Sequence, residues 1–210
     1  MALKVAHDCA AGHDAVRMVF ASRHGELRRT TDILHAIAAA DPVSPNAFSL
    51  SVLNAMSGMF GIARGDRSAA SALSAGPETL GYALLEAHAQ LTTQSTAQST
   101  ETASTPVLVV YADEPVDSLY GPVDDEVEGG ALALLLDAHN DRDTRDASDG
   151  LDTAHTATEI SCTVTHDEPA AGLAFPTQAA ALVHCLTHRT DTSWRSQGAA
   201  WQWRWHGDAA

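Results

Sequence analysis

Cationic side chains are scarce in this sequence of 210 residues. Lysine and arginine total 12 against 27 aspartates and glutamates, and Lys4 is the single lysine. The formal net charge of −15 gives a surface that repels nucleic acid and anionic lipid, so we expect neither as a partner. Much of the negative charge falls in segments 113–128 and 137–152, which we interpret as solvated loops.

Cysteines are also few: Cys9, Cys162 and Cys185 are odd in number, widely spaced and without a CxxC pair. This pattern excludes a disulfide framework and a cysteine-rich zinc site. His184 and His188 have the i, i+4 spacing of a metal-binding helix, but no glutamate follows the first histidine as in zincins. We therefore predict no metal and no cofactor.

Long apolar runs are absent as well. No run approaches the roughly 20 residues needed to span a bilayer, and the longest, at 129–138, is the length of one strand. The N-terminus lacks a basic flank followed by an apolar run, the signature of a signal peptide. Hydrophobic residues make up 45% of the chain, within the globular range. These observations predict one cytoplasmic domain, 1–210.

The periodicity of the apolar residues predicts an α/β layered domain with a mixed sheet. Predicted strands occupy 16–22, 68–75, 106–114, 129–137 and 158–166. Predicted helices occupy 2–11, 25–41, 49–65, 77–91 and 176–189. In the tail 192–207, Trp201, Trp203 and Trp205 alternate, which predicts a further strand whose aromatic face packs on a core or a subunit.

Several predictions concern the environment of these elements. The helix at 25–41 carries an apolar stripe formed by Leu27, Ile33, Leu34 and Ile37. Strand 68–75 lies between two helices, so we expect it to be buried. Two prolines predict a turn at 41–48, and Gly65 is the expected C-cap of the helix before it. The polar, low-complexity segments 92–105 and 138–157 predict flexible loops.

The residues alone give few candidates for chemistry. Ser22, His24 and Glu26 follow a predicted strand and could form a nucleophile, a base and an orienting acid. Neighbours at i, i+2 and i+4 on one loop rarely converge in this way, so a structural loop is the favoured interpretation. A serine-dependent acyltransferase or hydrolase, using Ser22, Ser49 or Ser51 with His24, stays open as an alternative.

Three segments resemble a known family: "VFASRHGELRRT", "SPNAFSLSVLNAMSGMFGIARGDRSAASALSAGPETLGYALLEA" and "VLVVYADEP". They are similar to the small β-ketoacyl synthase-like proteins of the chain-length-factor type. The resemblance runs from about Val16 to Pro115. It implies a thiolase-like half-fold, a mixed β-sheet packed with helices, as in the N-terminal half of a ketosynthase.

The resemblance also locates a degenerate nucleophile elbow. In ketosynthases a cysteine stands where the strand equivalent to 69–75 turns into the next helix, and the matching segment here is Ser74, Ala75, Gly76 and Pro77. Gly76 takes the place of the cysteine. Ketosynthases also use two histidines from a C-terminal half that this sequence does not include. The resemblance therefore implies no catalytic residues and no condensing activity.

A second set of residues follows from the same resemblance. The family-motif loop is Ser22, Arg23, His24, Gly25 and Glu26. Leu53 stands where the family usually has a histidine, so any role of that histidine is absent here.

The function implied is that of a non-catalytic partner subunit. Chain-length factors pair with ketosynthases, and the expected interface here includes Asn54, Gly58, Ser71 and Ala72. The resemblance implies a type II polyketide or fatty-acid-like pathway, such as an aryl polyene pathway, in a hetero- or homodimer. An acyl carrier protein would be met indirectly, through the partner. A stand-alone acyl-binding module is the other alternative that the sequence leaves open.

Overall fold

The computed structural model describes residues 1–97, 105–123, 129–137, 160–165, 173, 175–196 and 199–206. Its helices are α1 (Ala2–Cys9), α2 (Leu27–Ala38), α3 (Pro45–Ser49), α4 (Ala55–Arg64), α5 (Thr79–Ala97) and α6 (Gln178–His188). Its strands are β1 (Arg17–Ala21), β2 (Ala70–Leu73), β3 (Val107–Asp113), β4 (Gly130–Leu136), β5 (Ile160–Thr165), β6 (Thr192–Arg195) and β7 (Ala200–Trp205).

The first sheet has the order β2-β1-β3-β4. β1 runs parallel to both β2 and β3, whereas β4 pairs with β3 in the antiparallel sense. β1 and β3 form the centre because their residues are apolar on both faces, as is typical of buried parallel strands. The predicted α/β fold with a mixed sheet is confirmed.

Two apolar clusters define the layers on either side of this sheet. One joins Met18, Phe20 and Leu108 to α1 and α4. The other joins the opposite face of the sheet to α5 and α6. It also contains Trp201 and Trp203, which belong to the second, antiparallel sheet β5-β7-β6. The described chain is therefore layered as helices, sheet, helices, sheet, and the predicted aromatic face packs on the core.

The first turn of α5 packs closely against α6 and against the second sheet. A Cβ built on Gly81 would lie 2.4 Å from Cζ3 of Trp201 and 2.6 Å from Nε2 of Gln178. The backbone N–H of Gly81 donates to Oε1 of Gln178 over 2.8 Å. Gln178, the first residue of α6, thus satisfies a donor that the first turn of a helix leaves without an intrahelical partner.

Two predicted boundaries were wrong between residues 42 and 65. The expected turn at 41–48 overlaps α3, because Ser44 accepts a hydrogen bond from the backbone N–H of Ala47 and starts a short helix. The next helix begins at Ala55 rather than 49, after a turn. It ends as predicted, with Gly65 in the left-handed conformation at φ +66°.

The apolar stripe of α2 does not face a core within the described chain. Leu34 is 53% exposed and Ile37 is 59% exposed, whereas the buried residue of this helix is Thr31. The hydroxyl of Thr31 bonds the Tyr120 phenol over 2.8 Å. An amphipathic pattern predicts an apolar partner for the helix, but the pattern is the same whether that partner is the helix's own core or another subunit.

The prediction that strand 68–75 is buried was also wrong. β2 is an edge strand in the described part of the sheet, pairs only with β1 there, and is exposed to half-buried.

The first six residues of the loop predicted at 92–105 are helical, because α5 extends to Ala97. The side chain of Gln94 supports this end, donating to the carbonyl of Thr105 over 3.2 Å and accepting from its N–H over 3.0 Å. The second predicted loop, 138–157, lies outside the described residues. None of the described helices combines the length and the apolar character that a bilayer-spanning helix needs.

Candidate functional site

A buried carboxylate at the end of β3 organises the family-motif loop. Asp113 is 6% exposed. Its Oδ1 accepts from the hydroxyl of Ser22 and from the backbone N–H of His24, each over 3.0 Å. Its Oδ2 accepts from the N–H of Arg23 over 2.6 Å. Bonds to an ionised acceptor are stronger than neutral ones, so Asp113 fixes the course of the loop as it leaves β1.

The rest of the loop is a tight turn rather than a catalytic set. The hydroxyl of Ser22 accepts from the N–H of Gly25 over 2.8 Å and is almost fully buried. Gly25 has φ +59°, and a Cβ there would lie 3.3 Å from Cδ1 of Leu53. Leu53, the residue that replaces the family histidine, therefore packs directly against the loop. Glu26 accepts from Nε of Arg29 over 3.2 Å.

Tyr111 lies two residues before Asp113 on the same side of β3. Burial raises the pKa of its phenol, and the negative charge of Asp113 raises it further. The phenol is therefore neutral and remains a hydrogen-bond donor at physiological pH. Beside these two residues is a cavity of about 240 Å³ whose wall includes Ala180 and Val183 of α6.

The elbow segment 74–77 forms a tight turn between β2 and α5, with Gly76 at its tip. Gly76 has φ +59°, the left-handed conformation that side chains other than glycine rarely adopt. A Cβ built there meets no atom within 4 Å among the described residues. Thr79 closes the turn, because its hydroxyl accepts from the N–H of Ala75 over 2.9 Å and donates to the carbonyl of Gly76 over 2.7 Å. The turn is thus intact, and open space lies above it.

The elbow and the motif loop are joined by Ser74. Its hydroxyl donates to the carbonyl of Arg23 over 2.9 Å, and the N–H of Ser22 donates to the carbonyl of Leu73 over 3.2 Å. Glu78, just after the elbow's Pro77, accepts a hydrogen bond from the hydroxyl of Ser196, at the end of β6. The structure therefore unites the two groups that the sequence predicted separately.

The hydroxyls of the other two candidate serines are bonded to backbone carbonyls of α3. The hydroxyl of Ser49 donates to the carbonyl of Pro45 over 2.9 Å. The hydroxyl of Ser51 donates to the carbonyl of Phe48 over 2.8 Å. Together with the buried, doubly bonded hydroxyl of Ser22, these contacts give no activated serine, so they argue against the hydrolase alternative.

Two of the predicted interface residues, Ser71 and Ala72, lie on β2, and the other two, Asn54 and Gly58, lie at the start of α4. The outer edge of β2 is the side that faces away from β1. The N–H of Met18 donates to the carbonyl of Ala69, and Ser22 continues this pattern at Leu73. In a parallel ladder with this register, the N–H and C=O groups of Ala70 and Ala72 point away from β1. The edge thus presents backbone hydrogen-bonding groups that β1 does not use.

Helices cover both faces of the sheet beside this edge. α4 presents Ile62, which is 84% exposed, together with Met59. Asn54 and Gly58, four residues apart, are also exposed. A Cβ built on Gly58 would meet no atom within 4 Å among the described residues. On the other face, Nε2 of Gln90 in α5 donates to the hydroxyl of Ser71 over 3.4 Å.

α5 also exposes two apolar side chains one turn apart, Tyr82 and Leu85. An edge strand between helices with exposed apolar residues is a surface suited to association.

Sequence reasoning missed three residues of the site. Asp113, Thr79 and Gln178 each hold a turn or a helix end by accepting backbone N–H groups. The signal for Asp113 was present, since an aspartate at the end of a buried strand lies where α/β proteins carry functional residues. In the sequence, Thr79 and Gln178 are indistinguishable from other residues near the start of a helix. Their hydrogen bonds to the N–H groups of Ala75 and Gly81 are visible only in the fold.

Comparison with known proteins identifies the family. The family described as Beta-ketoacyl synthase, N-terminal domain, matches residues 1–205. The chain belongs to this family. Among curated proteins, no sequence matches the chain.

The fold is also found in solved structures. A chain in the structure titled as the ketosynthase ApeO in complex with its chain length factor ApeC, from Xenorhabdus doucetiae, superposes with a TM-score of 0.70. The two sequences are 23% identical, and the alignment covers 97% of this chain and 76% of that chain. The thiolase-like ketosynthase half-fold that the resemblance implied is confirmed.

Proposed function

We propose that this chain is a non-catalytic, chain-length-factor-like subunit that acts with a ketosynthase in type II polyketide or fatty-acid-like biosynthesis, such as an aryl polyene pathway. Gly76 is the observation that carries the proposal. The elbow keeps its left-handed turn at the start of α5, but the residue at its tip has no side chain to attack a thioester. Thiolate chemistry must then come from a partner that supplies the cysteine.

The edge of β2 supports association as the means of action. Its outward backbone groups can extend a sheet across an interface, and the exposed apolar side chains of α4 and α5 would be covered in the same contact. The matched structure is titled as a complex of a ketosynthase with its chain length factor, which supports a ketosynthase-like partner for this chain. Asn54, Gly58, Ser71 and Ala72 would belong to the contact.

The negative charge of this chain indicates that the ketosynthase, rather than this chain, binds the acyl carrier protein. Acyl carrier proteins are acidic, and this chain has a net charge of −15, so direct docking between them is disfavoured. The ketosynthase would receive the carrier protein, and this chain would shape the complex. We place the assembly in the cytoplasm. We also treat 1–210 as one domain, because one apolar cluster contains residues of both sheets.

The test is pairing with a cysteine-bearing ketosynthase, taken from the genes that neighbour the one for this chain. Ala70 is the best position to perturb, because its N–H points away from β1 and its side chain is exposed. Ala70→Pro removes the outward donor without removing a bond to β1, a change that edge strands tolerate. Ala70→Ser is the matched control, since it keeps the N–H and nearly the same size.

We expect the wild type and Ala70→Ser to co-elute with the ketosynthase in size-exclusion chromatography. Ala70→Pro should weaken the complex by about tenfold or more, which corresponds to roughly 1.4 kcal/mol, with an unchanged melting temperature. If Ala70→Pro pairs as tightly as the wild type, the interface has been misplaced. If the wild type stays monomeric with every neighbouring ketosynthase, the partner assignment is wrong.

A further inference from the structure

A second cavity lies between α1 and α4, on the face of the sheet opposite α5 and α6. Its volume is about 510 Å³. Its walls combine apolar and ionisable side chains: Leu3, His7, His13, Asp14, Phe60, Ala63 and Arg64. The residues of α4 that face this cavity differ from Gly58, Met59 and Ile62, so the cavity is separate from the proposed partner surface.

The guanidinium of Arg64 is the feature that points to a ligand. Its carbon Cζ lies 5.3 Å from the centre of the Phe60 ring, and its Nη2 donates to the carbonyl of His13. Its Nε is buried and has no hydrogen-bond partner in the part of the chain that the structure describes. A buried donor of a charged group is costly unless it is satisfied, and each such group calls for an explanation.

Nearby carboxylates do not supply the missing acceptor. Among the described residues, Arg64 forms no ion pair. The carboxylate of Asp66 is instead used by the N–H of Val16 over 2.9 Å and the N–H of Ser68 over 2.8 Å. Arg64 is thus held by a carbonyl and a ring rather than by an ion pair, and the part of its guanidinium that lines the cavity can meet an external anion, beside the carboxylate of Asp14 in the same wall.

We propose that this cavity binds a small amphipathic carboxylate. The planar guanidinium matches the two oxygens of a carboxylate. His7 and His13 at the rim add ring N–H donors, and Phe60, Leu3 and Ala63 offer apolar surface to an aliphatic portion of the ligand. The proposal does not depend on the chain's pairing with a ketosynthase, since neither the cavity nor Arg64 belongs to that surface.

Octanoate, acetate and inorganic phosphate test the proposal by isothermal titration of the whole chain. We expect saturable octanoate binding, with acetate weaker by about tenfold or more because it lacks the apolar portion. Phosphate reports whether an oxyanion alone is enough; binding as tight as that of octanoate would contradict the amphipathic assignment. Absence of saturable octanoate binding would overturn the proposal.

Arg64→Gln and Arg67→Gln form the matched pair of variants. Both remove one charge, but Arg67 is exposed and does not line the cavity. Octanoate affinity should fall about tenfold or more in Arg64→Gln and stay unchanged in Arg67→Gln. If Arg64→Gln fails to fold, Ala63→Phe serves as the second variant, because it places a large side chain in the cavity wall at an exposed helical position and leaves Arg64 unchanged. Undiminished binding in Ala63→Phe would refute the site.

Discussion

Replacing Gly81 by alanine should destabilise the fold, although alanine is the better helix former. A Cβ at Gly81 would lie 2.4 Å from Cζ3 of Trp201, a fully buried ring, and 2.6 Å from Nε2 of Gln178. Ordinary contacts between such atoms begin near 3.4 Å. The ring or α5 must therefore move by about 1 Å, and overpacking of this kind costs about 1–3 kcal/mol.

The substitution has two further consequences. The 2.8 Å hydrogen bond from the N–H of Gly81 to Gln178 is lost or stretched, which costs about 1 kcal/mol. Alanine regains about 1 kcal/mol of helix propensity. The sum is a net loss of about 2 kcal/mol, or a fall in melting temperature of about 4–8 °C for a chain of this size.

Gly58→Ala is the matched control. It also lies inside a helix, but no atom is found within 4 Å of a Cβ there, so alanine should stabilise by about 0.5–1 kcal/mol. Urea unfolding of both variants measures the difference. A Gly81→Ala chain as stable as Gly58→Ala would show that the contact between α5, Gln178 and Trp201 is looser than the structure describes.

Three more predictions follow from the site. Asp113→Asn removes the charged acceptor of three bonds and should cost about 3 kcal/mol in urea unfolding; a loss under about 1 kcal/mol would contradict its organising role. In Gly76→Cys, the new thiol at the start of α5 should react with iodoacetamide at pH 8 at least about tenfold faster than the native cysteines. Burial raises the pKa of Cys162 to about 11, so roughly one such thiol in a thousand is ionised at that pH; equal rates would show that the elbow does not activate a thiol. The wild-type chain alone should form no product from acyl and malonyl carrier-protein thioesters, and product above the no-enzyme rate in mass spectrometry would disprove this.

The sequence predicts the centre of the fold well because the physics there is local. β1 and β3 are apolar on both faces, which predicts buried strands. The alternating tryptophans of β7 give that strand one large apolar face, which predicts that this face packs against a core. Edges are less predictable. The small residues of β2 suit a buried strand as well as an interface, and the stripe of α2 is the same for an internal or an external partner. These ambiguities concern what lies beside an element, which no local pattern encodes.

The candidate site shows the same division. Gly76 could be located from sequence because a glycine between a strand and a helix predicts a left-handed turn, and the family pattern places it at the elbow. Asp113 could not be paired with the motif loop, because its three donors lie about 90 residues earlier in the chain. Gln178 and Gly81 are similarly distant in sequence. Contacts of this kind depend on the sheet order, so they become visible only with the fold.

An elbow without a nucleophile still has a structural task in this molecule. Thr79 closes it, Ser74 ties it to the motif loop, and the first turn of α5 is fixed by Gln178. The elbow therefore sets the direction in which β2 ends and α5 begins, and these two elements carry the outer edge and the exposed Tyr82 and Leu85. If catalysis were the only reason for such a turn, a chain with glycine at its tip would not need the bonds that support it. In the proposed assembly these bonds hold the outer edge of β2 rigid before the partner binds, which lowers the conformational entropy lost on binding.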